Sequence, residues 1–99
     1  MPALLKSLES PVDTVRANAF YSLLWQPTAG PYNSAARTIA LLKDNPKRST
    51  AIARTLRGAL AREERRLQEP GAHALSGLYA SYHVDLKRSV AALPSAPPR

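Results

Sequence analysis

Cysteine is absent from this 99-residue chain, and aromatic residues make up only 6% of it. Without cysteine the chain can form neither a disulfide framework nor a thiolate metal site, and this absence is typical of intracellular proteins. No apolar run approaches the roughly 20 residues that a membrane-spanning helix needs, and the N-terminus lacks the pattern of a secretory signal. We therefore expect a soluble, cytoplasmic protein that has no membrane partner.

Acidic side chains are also scarce. Seven Asp and Glu residues stand against 14 Lys and Arg, which gives a formal net charge of +7 and a pI near 10.4. Nine of the basic residues lie between Arg37 and Arg66, together with only three acidic ones. Positive charge concentrated in this way is typical of proteins that bind nucleic acid or another polyanion. A membrane surface fits less well, because the basic segment lacks the aromatic face of interfacial helices.

Helical periodicity dominates the chain, and strand patterns are nearly missing. The sequence predicts an all-α fold, with one helical domain over residues 1–93 and a disordered, proline-rich tail over residues 94–99. A first helix is predicted to start near Pro11. Its apolar stripe is assigned to the core or to a dimer interface and consists of Val12, Val15, Ala19 and Leu23. A Pro- and Gly-containing turn at 25–31 then predicts a helical hairpin, whose second helix starts near Asn33.

A long helix is predicted over residues 46–68, with an apolar side and a basic side. The apolar side is assigned to core or dimer contacts and contains Ile52, Leu56 and Leu60. The residues predicted to contact nucleic acid are Lys43, Lys47, Thr50, Arg54, Arg57, Arg62 and Arg65. Pro46 either occupies the first position of a new helix or kinks one continuous helix from 33 to 68. A solvated helix face without a partner is the simpler alternative for one basic helix, but the charge of the whole chain favours binding.

The C-terminal part adds one more predicted helix, over residues 72–93, with Tyr79 and Tyr82 on its apolar face. Tyr21 and Trp25, four residues apart on the first helix, are predicted on its solvent side. There they would pack against another chain, which we favour, or stack on bases. A chain of this size buries only a marginal core by itself, so we expect a homodimer.

No residue pattern indicates catalysis. His73 and His83 lack the spacing of a metal pair, and the serines and glycines form no nucleophile elbow or phosphate loop. Glu63 and Glu64 stand among arginines, which is typical of charge pairs on a helix. We expect no enzymatic activity, no cofactor, no metal and no small-molecule substrate.

The order of these features resembles the small RNA-silencing suppressor proteins of insect nodaviruses. The resemblance rests on Met1-Pro2, a leucine-rich first helix with Asp13, the turn Gly30-Pro31-Tyr32-Asn33, the long basic helix and Glu69-Pro70 before a further helix. It implies a viral protein whose helical hairpins dimerise as an antiparallel four-helix bundle. The long helices would lie along double-stranded RNA in the host cytoplasm and shield it from processing. The resemblance places Lys47, Arg54 and Arg57, and with them Lys43 and Arg65, at phosphate and ribose groups.

The residues themselves favour the same function. Double-stranded RNA hides its base edges in a deep groove, so a protein recognises its phosphates and 2′-hydroxyls. Basic side chains at helical spacing, interspersed with Ser49, Thr50 and Thr55, suit that task. We therefore expect sequence-independent binding of double-stranded RNA. Two other functions stay open: a small helical subunit of a nucleoprotein complex, such as a CRISPR effector, and a helical adaptor for an acidic protein.

Overall fold

A computed structural model describes residues 2–25 and 33–94, and every regular element among them is helical. Five α-helices are present in this part of the chain: α1 (Pro2–Ser7), α2 (Asp13–Leu23), α3 (Ser34–Asp44), α4 (Ser49–Leu67) and α5 (Tyr82–Ala91). Short 3-10 turns occupy Pro46–Arg48 and Gly77–Tyr79. The predicted all-α fold is confirmed. Within the described residues, no helix has the length and apolar character that crossing a membrane requires. The predicted turn lies largely, and the predicted tail almost entirely, outside these residues.

The region around Pro46 separates α3 from α4. Asn33 caps the start of α3, where its Oδ1 accepts a hydrogen bond from the backbone N–H of Ala36 at 3.0 Å. At the other end, the side chain of Asn45 donates to the carbonyl of Leu41 at 2.9 Å. Pro46 then opens a 3-10 turn, because proline fixes its own φ and cannot continue the helical hydrogen bonding. A new helical segment therefore starts at Pro46, and the alternative of one continuous helix is wrong.

The C-terminal helix α5 is the packing centre of the described chain. Both α3 and α4 pack against α5, α1 packs against α2, and the 3-10 turn at 77–79 contacts α2. Side chains from α2, α4 and α5 meet in the core, where Phe20, Ile52, Leu56 and Leu86 are fully buried. The closest partner of α3 is thus α5, and the predicted hairpin of the first two long helices is not the main packing unit.

The last helix is shorter than the predicted span of 72–93. Residues 72–76 have no regular structure, and α5 begins only at Tyr82. Gly77 adopts a φ of 65°, which an α-helix cannot contain and which glycine tolerates because it has no Cβ. The apolar spacing of Leu75 and Leu78 imitates a helical period, yet Leu78 is 92% exposed. The glycine decides the local structure here.

Helix α2 buries only the C-terminal half of its predicted apolar stripe. Val12 and Val15 are 51% and 41% exposed and lie outside the core of this chain, whereas Arg16 is only 1% exposed. The prediction that Val12 and Val15 form dimer contacts stays a prediction, because the structure describes a single copy of the chain. The other residues assigned to core or dimer contacts lie inside or at the edge of the core: Ala19, Leu23, Ile52 and Leu56 are buried and Leu60 is half-buried.

Candidate nucleic-acid interface

An internal ion cluster joins α2 to α4. The Arg16 guanidinium donates to Asp13 and, at 2.7 Å, to the carbonyl of Ser10, and its Nη2 lies 3.5 Å from Oε1 of Glu63. Arg66 donates to both carboxylate oxygens of Glu63, at 3.1 and 2.9 Å, and its Nε lies 3.2 Å from Asp13. Glu63 is 1% exposed. Its hydrogen bonds with Arg66 raise the pKa of the Arg66 guanidinium above the ordinary value.

This pairing makes the protein surface more basic than the composition suggests. Of the 13 Lys and Arg residues in the described chain, ten are exposed, whereas only three of the seven acidic residues are. Arg37 is also buried, and its Nη1 donates to the carbonyl of Leu24 at 3.2 Å. The ratio of basic to acidic side chains therefore rises from two to one in the whole chain to more than three to one at the described surface.

The outer face of α4 carries the centre of the basic surface. At about 100° of rotation per residue, Arg54 and Arg65 lie nearly opposite the buried Ile52 and Glu63. Arg57 and Arg62 lie at the two edges of this face, and all four arginines are exposed. We call these four residues the α4 basic face. The helix has 19 residues, so the face extends along a rod about 28 Å long.

The centre of the α4 basic face is flat. The exposed residues between the arginines include Gly58 and Ala61, and a Cβ added at Gly58 would meet no heavy atom within 4 Å. A polyanion backbone can therefore approach the helix closely while the guanidiniums reach around it. One of the four arginines is partly engaged within the chain, because Arg57 Nη2 donates to the carbonyl of Pro94 at 2.7 Å.

The other predicted contact residues precede this face. Lys43 lies in the last turn of α3, Lys47 in the 3-10 turn and Thr50 in the first turn of α4, and all three are exposed. The break at Pro46 puts Lys43 on a different helix from Arg54. Arg48, next to Lys47, is exposed as well. Sequence reasoning passed over Arg48, although its position in the basic segment was a usable signal.

Two further cations lie outside the predicted site. Lys87 and Arg88 are exposed on α5, the helix against which α4 packs. They add to the field that an approaching polyanion meets. The prediction of the last helix used the spacing of its apolar residues, and it therefore did not identify these two cations as part of the binding surface.

The predicted aromatic pair is divided between the interior and the surface, because Tyr21 lies in α2 and Trp25 follows the end of that helix. The Tyr21 hydroxyl donates to Asp85 at 2.6 Å, and the Tyr21 ring stacks on Tyr79 with ring centroids 6.3 Å apart. Its edge also contacts Phe20. The prediction that Tyr21 faces solvent is therefore wrong, because a buried carboxylate on α5 supplies a partner for its hydroxyl. Trp25 is 67% exposed.

No protein-family model, curated protein or solved structure matches this chain. The resemblance to nodaviral silencing suppressors therefore stays a prediction from the sequence. The functional assignment depends on the surface that the structure presents.

Proposed function

We propose that the protein binds double-stranded RNA through the phosphate backbone, without reading the base sequence, and that the α4 basic face is the centre of the site. One observation carries the proposal: four arginines are exposed on one side of a single helix, while of its two acidic residues Glu63 is buried and Glu64 lies at the edge of that side. Glu63 is buried against Arg16 and Arg66, and Glu64 lies 3.4 Å from His83 on α5. The positive face is not neutralised by its own helix.

The chemistry of the face suits a duplex backbone. Guanidinium groups bind phosphate oxygens with two parallel hydrogen bonds, and a helix about 28 Å long can reach several phosphates along one strand. Double-stranded RNA presents phosphates and 2′-hydroxyls at regular spacing and hides its base edges. Lys43, Lys47 and Thr50 extend the site beyond the N-terminal end of α4. Bound in this way, the protein would shield duplex RNA from processing enzymes, as a viral suppressor of RNA silencing does.

The proposal includes a homodimer. Val12 and Val15 expose apolar surface on α2, and a two-fold axis would bury that surface while doubling the basic area. Sedimentation velocity at micromolar concentration should show a dimer. A purely monomeric sample would remove the dimer from the proposal and leave the α4 basic face to be tested by itself.

The decisive experiment compares two arginines that differ in position and not in chemistry. Arg54→Gln removes one charge from the middle of the α4 basic face, and Arg88→Gln removes one exposed charge from α5. Binding to an RNA duplex is measured by fluorescence anisotropy over a series of salt concentrations. Arg54→Gln should weaken binding and reduce the log–log salt slope by up to roughly 0.9, the value for one phosphate contact on duplex DNA.

Arg88→Gln should change the affinity and the slope less, while circular dichroism shows that both variants keep the parent helix content. Equal losses in the two variants would indicate attraction by overall charge and contradict the assignment of the site. A parent protein that binds no duplex but binds an acidic protein would overturn the proposed function.

A further inference from the structure

A cleft of about 260 Å³ lies at the C-terminal end of the α4 basic face. On one side it is lined by Arg62, Arg65 and Arg66 of α4 and by Glu69 just beyond it. On the other side it is lined by Pro11, Asp13 and Arg16, where α2 begins. Four arginines thus surround a space that only two carboxylates oppose. Arg62 and Arg65 belong to the α4 basic face, but Arg16 and Arg66 do not, so the proposed contacts of that face do not account for the whole cluster.

The inner half of the cleft is rigid and nearly neutral. Arg16 and Arg66 are both fixed by Asp13 and by Glu63 behind it. Arg66 Nη2 also donates to the carbonyl of His73 at 3.1 Å. These contacts hold both guanidiniums in the floor of the cleft, and the Arg16 Nε, which has no hydrogen-bond partner among the described residues, is buried and not open to a ligand. Binding is therefore left to other groups.

The outer half of the cleft offers cations with free donors. Arg62 and Arg65 are exposed, and neither forms an ion pair with any residue in 2–25 or 33–94. They are three residues apart on one helix, which places them as neighbours on its surface. Glu69, also exposed, is the acidic residue that opposes them. Two neighbouring guanidiniums above a fixed floor match the tetrahedral array of oxygens on a phosphate group.

We propose that this cleft is a phosphate-binding pocket in which Arg62 and Arg65 hold one phosphate group of a nucleic-acid strand. The nucleic-acid source of the phosphate rests on the proposed function, whereas the affinity for phosphate itself does not. The phosphate is either a diester of the backbone or the monoester at a 5′ end. Both have the oxygen acceptors that the two arginines require.

The first experiment tests the pocket without any nucleic acid. Inorganic phosphate is titrated into the full chain while NMR follows the Nε–H resonances of the arginines. Saturable shifts are expected at Arg62 and Arg65 and not at Arg54, which lies on the same helix outside the cleft. The double variant Arg62→Gln/Arg65→Gln, with unchanged circular dichroism, should bind no phosphate there. Absence of saturation, or equal shifts at Arg54, would overturn the pocket.

The second experiment identifies the source. Two RNA duplexes of the same sequence, one with 5′-phosphates and one with 5′-hydroxyls, are bound to the parent and to the double variant. We expect the variant to lose roughly tenfold in affinity, as two charged hydrogen-bonding groups are removed. A loss confined to the phosphorylated duplex assigns the pocket to a terminal monoester, and an equal loss for both assigns it to the backbone. Unchanged duplex binding by the variant refutes the pocket as a nucleic-acid contact and removes Arg62 and Arg65 from the proposed site, while the proposed binding of duplex RNA stands. Saturable phosphate binding by a protein that binds no duplex refutes the proposed function and leaves the pocket standing.

Discussion

Glu63 is the acidic side chain on which the junction of α2 and α4 depends. It is buried between Arg16 and Arg66, so Glu63→Ala would leave these two guanidiniums sharing the carboxylate of Asp13, with one positive charge uncompensated near the interior. We expect a loss of about 3–5 kcal/mol in the free energy of unfolding. The matched control is Glu64→Ala, whose side chain is 46% exposed and, within residues 2–25 and 33–94, pairs with His83 alone; it should cost less than about 1 kcal/mol. Urea denaturation measures both, and similar losses would show that the ion cluster contributes little.

Tyr82 should make the protein sensitive to alkaline pH. Burial raises the pKa of its phenol from 10.0 to about 12, although the positive charge of Arg16 opposes the rise. Because the folded state holds the proton more tightly, this contribution to stability is complete below pH 10 and is lost as the pH rises towards 12. Between about pH 8 and about pH 11 the parent should lose roughly 1.4 kcal/mol more than Tyr82→Phe does. Denaturant titrations at the two pH values measure the difference, and parallel losses in both proteins would contradict it.

Arg16 and its carboxylate partners explain why the buried face of α2 was only partly predicted. An arginine in the middle of an apolar stripe indicates a solvent-facing position, and it lies inside only when carboxylates surround it. Asp13 is close in sequence, but Glu63 comes from a helix 47 positions away along the chain and no local pattern connects the two. Phe20 on the same helix is fully buried without such a cluster, because burial of an aromatic ring needs no charged partner.

Gly58 and Gly77 differ in backbone conformation, and the same substitution should therefore have opposite effects on stability at the two positions. Gly58 lies inside α4 with open space around its Cα, and Gly77 has a φ of 65° at the start of a 3-10 turn. Gly58→Ala should stabilise the protein by about 0.5–1 kcal/mol, because alanine favours the helix. Gly77→Ala should destabilise it by about 1–2 kcal/mol, because a Cβ disfavours positive φ. Thermal unfolding should therefore shift in opposite directions for the same chemical change; shifts of the same sign would show that backbone conformation does not govern Gly77.

At the scale of elements, the strength of local signals decided what could be predicted. Helix α4 was predicted well because its apolar side and its arginines repeat over five turns, and Asn33 and Pro46 marked the neighbouring boundaries by their own chemistry. The packing of α3 on α5 was not predictable, since amphipathic helices of this kind can pair in several ways. The exposed positions of the predicted nucleic-acid contacts follow from the same periodicity, whereas the arginine cleft needs the tertiary contact of α2 with α4.

For the whole molecule, folding separates charge by sign. Asp13, Glu63 and Asp85 form ion pairs or hydrogen bonds inside or at the edge of the core. Most of the described Lys and Arg side chains, in contrast, are exposed to water. Such a surface attracts a polyanion over long range, because its exposed cations outnumber its exposed carboxylates. The proposed binding to the RNA backbone should therefore give an affinity that depends on salt rather than on sequence.

Dependence on salt but not on sequence can be measured with RNA duplexes and the full chain. Three RNA duplexes of equal length and unrelated sequence should bind with dissociation constants within tenfold of one another, since helix-borne guanidiniums contact phosphates that every sequence presents. The affinity should fall steeply and in parallel for all three as salt is raised, because each contact releases counterions from the same backbone. Fluorescence anisotropy at several salt concentrations measures both properties, and single-stranded RNA of each sequence controls for unspecific attraction. A preference of tenfold or more for one duplex would mean that base edges are read, and the α4 basic face could then not be the whole site. Equal affinity for single strands and duplexes would mean that the regular spacing of a duplex is not recognised.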